Sequence, residues 1–375
     1  MRMVALLTSA LTAAALVTAA PAAQATEGVT LDFLGATVLP NALQFQGTTV
    51  GGLSAISYDA RTGQYFLISD DRSAKNPARF YTARIAVSTS GAPKVALTST
   101  KPWLQKDGTV FPPTAGTTVA PDPEGLAVDP RSGKLFWSSE GERIVPATGA
   151  PTIGQPWIRV ASRDGAYRGD VELPKQFTIT AEQKGPRQNQ VLEGLSFTPD
   201  GRRLYAGIED PLFQDGPVPT PTKGALTRIT EFDPKTRKPV AQFAYPLEKL
   251  FAMPPNADST DTNGLTDVLA LGNGTLLITE RASIFQTNNW KVRLYLADTS
   301  GATNVLGQDT ISGTPMRKKL LLDLSDVPDL KLDNFEGATL GPRLPDGRRS
   351  LILVTDDNFN TAEITEFTAF AISGV

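Results

Sequence analysis

The chain has no cysteine and no histidine among its 375 residues. The first absence excludes disulfides, thiol nucleophiles and thiolate metal sites. The second removes Ser-His-Asp and Cys-His machinery, His-ligated zinc and the usual general base near neutral pH. A surplus of charge is missing too: 36 Lys and Arg stand against 39 Asp and Glu, for a net charge of −3. With no basic cluster, this speaks against nucleic acid as a partner. Beyond the N-terminal segment, no run approaches the ~20 apolar residues of a membrane-crossing helix. Any catalysis must therefore run on carboxylates, Lys, Tyr, Arg or a hard metal.

The N-terminal segment reads as a secretory signal. Arg2 supplies a positive charge, Met3 to Ala20 is small and apolar, and Ala23-Gln24-Ala25 is a small-x-small cleavage site. The expectation is a secreted chain cut after Ala25, with a single domain over residues 26–375 and a monomeric state.

One short phrase recurs five times. It reads GGLSA from Gly51, PEGLAV from Pro123, LEGLSF from Leu192, TNGLTDV from Thr262 and FEGATL from Phe335. The copies lie roughly 70 residues apart, the mark of tandem supersecondary units. After each phrase comes an Asp/Gly turn, then an apolar run ending in acid: Asp70-Asp71, Glu140, Glu209-Asp210, Glu280 and Asp356-Asp357. Such runs joined by tight turns are hairpins.

Two further strand-like runs follow in each of the first four copies, and four strands per unit is the make-up of a propeller blade. The fifth copy is one strand short, and Val29 to Val38 can complete it. The reading is an all-β propeller of five blades, closed by an N-terminal strand that removes the sheet edges. Six blades are the alternative, with Lys101 to Thr118 or Gly301 to Pro315 hiding strands. Pro/Gly/Thr-rich runs at Asp107 to Pro123, Pro146 to Pro156, Asp215 to Gly224 and Met253 to Asn263 would form a rim on the face that carries the phrase and the acidic strand ends.

Several stretches resemble the phytase-like family, whose members are exported bacterial proteins described as having esterase-like activity of phytase. They are ISDDRS, DPEGLAVDPRSGKLFWSSEGER, LEGLSFTPDGRRLYAGIEDPLFQDG and DNFEGATLGPRLPDGRRSLILVTDDNFN. The resemblance spans nearly the whole of residues 26–375. It implies a propeller and, by analogy with β-propeller phytases, calcium-bridged carboxylates that hold phosphate and water.

The residues themselves permit that chemistry. The position before the central glycine is Gly51, Glu124, Glu193, Asn263 and Glu336. On inner strands these positions form a ring. Glu and Asn oxygens at one level suit a hard cation, and Ca²⁺ takes 6–8 of them. Capping of backbone N–H groups by the same Glu side chains is the competing reading. The acids at the second strand ends either bridge neighbouring blades or hold further cations. Asp70, Asp71, Arg72, Asp356 and Asp357 are the catalytic candidates. Arg143, Arg281 and Asn358 are candidates for holding phosphate or carboxylate oxygens. A serine esterase is poorly supported, since there is no G-x-S-x-G elbow and no histidine.

The expectation is a calcium-dependent hydrolase of phosphate or related esters acting on a small molecule. The alternatives are a calcium-stapled binding propeller, using Trp103, Phe111, Trp157 and Phe213 near the rim, and a lactonase at the channel metal.

Overall fold

The tight turns are the local seeds of the fold. In the Asp59 to Gly63 turn, Gly63 N–H donates to the Asp59 carbonyl at 2.8 Å. Gly133 does the same to Asp129 at 2.7 Å. Both glycines have positive φ, +66° and +69°, a region that costs glycine nothing. Each turn joins two apolar strands that cannot bury both faces alone, so neighbouring repeats stack.

The computed structural model describes residues 28–116, 118–254, 261–284 and 289–375. The signal-like segment and part of the run from Met253 to Asn263 lie outside them. Among the described residues the regular structure is nearly all strand, arranged as five four-stranded antiparallel sheets with two small two-stranded ones besides. Blade one holds Ala55–Asp59, Gln64–Ile68, Arg79–Ala86 and Lys94–Pro102. Blade two holds Pro123–Val128, Leu135–Ser139, Trp157–Ala161 and Tyr167–Val171. Blade three holds Leu192–Phe197, Leu204–Ile208, Ala225–Asp233 and Lys238–Leu247. Blade four holds Thr262–Gly272, Thr275–Ile284, Asn289–Asp298 and Arg317–Asp323.

Blade five takes Phe335–Arg343, Arg349–Thr355 and Glu366–Ser373, and Thr30–Val38 supplies its outer strand. The closing register runs from Thr30 opposite Ser373 to Val38 opposite Glu366. The five-blade reading with N-terminal closure therefore holds. Of the two runs proposed to hide a sixth blade, the first, between Lys101 and Thr118, contributes the end of a blade-one strand and isolated bridges, Leu104 with Val110 and Ala115 with Thr118, and the second, Gly301 to Pro315, holds no strand.

Three of the five recurring glycines sit where inner strands crowd the axis. A Cβ at Gly125 would lie closer than 3.0 Å to the Glu193 carbonyl. One at Gly194 would meet the backbone of Val268, and one at Gly337 the backbone of Ala55. Each glycine lets one inner strand approach that of the next blade. Hydroxyls on the inner strands then latch blade to blade. Val128 N–H donates to Ser57 at 3.0 Å, Tyr58 N–H to Thr339 at 3.1 Å, and Ala270 N–H to Ser196 at 2.9 Å.

Between blades the packing is apolar and aromatic. Phe136 meets Phe197 edge-on at 5.0 Å, and Trp103 stacks on Trp137 at 4.4 Å. Trp103, assigned to the rim from sequence, is fully buried between blades one and two. A buried ring of this kind contributes about 2–3 kcal/mol, which explains how the stack holds without disulfides.

Candidate functional site

The inner strands of blades two, three and five share one irregularity. Their pairing slips between Pro123 and Leu126, between Leu192 and Leu195, and between Phe335 and Gly337. Each slip spans the Glu of the recurring phrase. A bulge re-aims the side chain it carries. Here Glu124, Glu193 and Glu336 all line one cavity of about 730 Å³. Asp70, Glu209 and Asp356, at second strand ends, line it as well. The phrase and the acidic strand ends thus share a face.

The carboxylates are densest where blades two and three meet. Asp122, Glu124 and Glu140 bring one oxygen each within 4.8 Å of one another. Glu140, Glu193 and Glu209 form a second such group. Glu140 belongs to both. It accepts a hydrogen bond from Val191 N–H through Oε1, while its buried Oε2 has no partner. Asp70 Oδ1 and Asp122 Oδ2 are also buried without a hydrogen bond. Asp122 Oδ2 has only a long ion pair, 3.4 Å to Arg72.

This crowding shifts the acids. Burial, then the Glu193 charge, holds Glu124 well above the ordinary carboxylate range. Burial, then Glu140, does so for Glu193. Burial, then Asp122, does so for both Glu140 and Asp70. Burial pushes Asp122 up to about 6 against the pull of Arg72. Burial likewise lifts Glu336 to about 7 against the pull of Arg281. Like charges at this density call for a cation between them or for protons. Buried oxygens without partners, all from carboxylates, fit a hard divalent ion.

The blade-four side of the cavity supplies its own cation. Arg281 Nη2 donates to Glu209 at 2.8 Å, and Nη1 donates to Glu336 at 2.6 Å and to Asn334. Arg281 Nε is buried without an acceptor. Arg72, on the opposite wall, pairs with Glu142 as well as Asp122. Asn358 reaches the mouth, exposed and with φ +44°, and donates to Glu363 at 2.9 Å.

Four of the residues singled out from the sequence are engaged elsewhere, each for a visible reason. In blade four the ladder is regular through Asn263 and Gly264 and first slips between Leu265 and Asp267. Asn263 therefore keeps its place opposite Ala282 and donates to Glu280 at 2.9 Å, away from the acidic group. Asp71 accepts three backbone N–H groups, from Ala74, Lys75 and Asn76, and pairs with Arg79 at 2.6 Å. Asp357 accepts from Gly52 and Phe359 N–H. Arg143 braces the carbonyls of Thr180, Ala181 and Glu182 and stacks over Phe213.

Three contributors, Asp122, Glu140 and Glu209, lie outside the ligand set read from the sequence. Asp122 precedes the recurring phrase, and its only signal was the acid–Pro–acid spacing to Glu124. Glu140 and Glu209 stand out in the sequence as strand-end acids, but nothing there separates bridging between blades from holding a cation.

The family described as "Phytase-like: Esterase-like activity of phytase" matches this chain over residues 48–359. No curated protein matches it. Among solved structures, an endo-arabinase from Bacteroides thetaiotaomicron VPI-5482 is similar at 12% identity and TM-score 0.44, covering 92% of this chain and 98% of that one. A thermostable family-43 glycoside hydrolase is similar at 10% identity and TM-score 0.43, covering 88% and 95%. A xylan beta-1,4-xylosidase from Bacillus halodurans C-125 is similar at 12% identity and TM-score 0.41, covering 87% and 53%. None of these likenesses carries chemistry over to this chain.

Proposed function

The chain belongs to the phytase-like family, and from that premise we propose that it is an exported, calcium-dependent hydrolase of phosphate esters or related esters. The observation that carries this reading is the pair of carboxylate groups that share the buried Glu140 and line the cavity through Asp122, Glu124, Glu193 and Glu209, with buried oxygens left without donors. Asp122, Glu124, Glu140, Glu193 and Glu209 would hold the ion. Bound there, it would supply Lewis-acid activation of water and of an ester oxygen.

The residues around it have separate tasks. Arg72 and Arg281 sit on the cavity wall, each paired to two acids, and their guanidinium forks would take phosphate or carboxylate oxygens where one of those acids lets go. Asp70 and Asp356, raised by burial and by other acids nearby, would hold or release a proton near the reacting atoms. Asn358 and Glu363 would meet the substrate at the mouth.

Two rival readings have less support. A binding propeller calls for a broad exposed aromatic patch. Among the described residues the exposed large apolar side chains include no aromatic ring. A lactonase calls for an apolar mouth, whereas Gln188, Asn189, Gln190 and Asn360 line this one.

The test is turnover by the purified protein of phytate, p-nitrophenyl phosphate, a phosphodiester, a short acyl ester and a lactone, each with calcium and with a chelator. Calcium-dependent turnover of the phosphate or acyl ester supports the reading. Calcium binding without turnover of any of the five overturns it.

A further inference from the structure

Glu209 belongs to two structures at once. One oxygen lies in the carboxylate group with Glu140 and Glu193. Its Oε1 also accepts from Arg281 Nη2 at 2.8 Å. An arginine paired to two carboxylates, Glu209 and Glu336, is a poor receptor for an anion, since its donors are taken and the acids repel the newcomer. Yet one edge of this guanidinium is half free: Nε is buried with no acceptor, while Nη2, on the same edge, is held by Glu209. Nε–H and Nη2–H together make the fork that grips phosphate or carboxylate through two parallel hydrogen bonds.

We infer that Glu209 couples the two sites: a divalent cation drawn to Glu140 and Glu193 takes Glu209 from Arg281, and the released Nε/Nη2 edge then receives the anionic group of the substrate. This rests on the cation reading above. Arg281 stays anchored through Nη1 to Glu336 and Asn334, so it need not move to change role. The Trp290 ring, 5.9 Å from the guanidinium, backs it. Cation and anion then bind with positive, reciprocal linkage. The device also keeps an anion from binding tightly before the metal is present.

The test is calorimetric titration of the purified protein with inorganic phosphate, at zero and at saturating calcium, in the wild type, Glu209→Gln and Arg281→Lys, with calcium affinity measured alongside. In the wild type, calcium tightens phosphate about tenfold or more. Glu209→Gln, which still offers the ion Asp122, Glu124 and Glu140, binds phosphate without calcium nearly as tightly as the calcium-loaded wild type, and calcium adds little. Arg281→Lys, the second arm should the first variant fold poorly, keeps calcium binding but loses about tenfold in phosphate affinity, because an ammonium has no fork.

Calcium binding with the same phosphate enhancement in wild type and Glu209→Gln overturns the coupling and leaves the cation reading standing. Phosphate affinity undiminished in Arg281→Lys also overturns the coupling. Absence of calcium binding in the wild type overturns both.

Discussion

Asn263 donates to Glu280 at 2.9 Å and to the Glu248 carbonyl at 3.0 Å. In blades two, three and five the residue at the same place in the recurring phrase is a glutamate facing the channel cavity. The difference lies in the ladder, which bulges at the Glu in those blades and only past Leu265 in blade four. Replacing Asn263 by Ala leaves Glu280 short of a buried donor. The expected cost is about 1–3 kcal/mol in urea unfolding, with calcium affinity unchanged. A large loss of calcium affinity would put Asn263 back in the ligand set.

Gly194 is a place where two inner strands touch. A methyl group there meets the backbone of Val268, which cannot move without breaking the blade-four ladder. Gly194→Ala should destabilise by about 3 kcal/mol or more. Equilibrium unfolding of this variant checks it, and a change under about 1 kcal/mol would mean the axis is looser than described.

Asp71 has the buried environment of a structural anchor. Its Oδ2 pairs with Arg79 at 2.6 Å, and Arg79 in turn holds the Thr49 carbonyl at 2.6 Å. Asp71→Asn leaves the Arg79 charge without its partner, and breaking a buried pair costs about 3–5 kcal/mol. The expected result is a lower melting temperature with kcat/KM little changed for the folded fraction. A selective loss of kcat at unchanged stability would return Asp71 to the catalytic set.

Stability without calcium should fall as pH rises. Burial lifts Asp267 to about 8 from its ordinary 3.8, although Val268 and Ala338 N–H groups pull the other way. Between those two values the folded chain holds a proton that the unfolded chain has released. Its contribution is complete below about pH 4 and is lost as pH climbs through about 8. In chelator, the melting temperature should be lower at pH 8 than at pH 5.5. A higher value at pH 8 would contradict the assignment.

The sequence carried the fold because each propeller unit repeats its instructions locally. The turn glycines, the apolar pairs and the crowded glycine recur in step, and even the missing fifth-blade strand had a visible donor in residues 29–38. The site was legible only in part. Glu124, Glu193 and Glu336 stood out by their place before the glycine, and bulges turn all three to the cavity. Spacing alone could not place the bulge in blade four, so Asn263 read as equivalent. Nor could it tell which strand-end acids turn inward. Glu140 and Glu209 do, while Asp71 and Asp357 are consumed by backbone N–H groups of nearby loops. Those partners come from loop conformation, which the repeat does not encode.

The central claim is that Glu140 joins two carboxylate groups into one cation site that serves hydrolysis. The most direct measurement pairs calcium titration with turnover of the ester panel for the wild type and Glu140→Gln, with melting temperature followed with and without calcium. The account predicts that the wild type binds calcium, melts higher with it, and hydrolyses a phosphate or acyl ester only when loaded. It predicts that Glu140→Gln loses at least about tenfold in calcium affinity and loses turnover in parallel, since replacing a ligand carboxylate by an amide removes the charge a hard cation requires. Calcium affinity and turnover unchanged in a folded Glu140→Gln variant would contradict it.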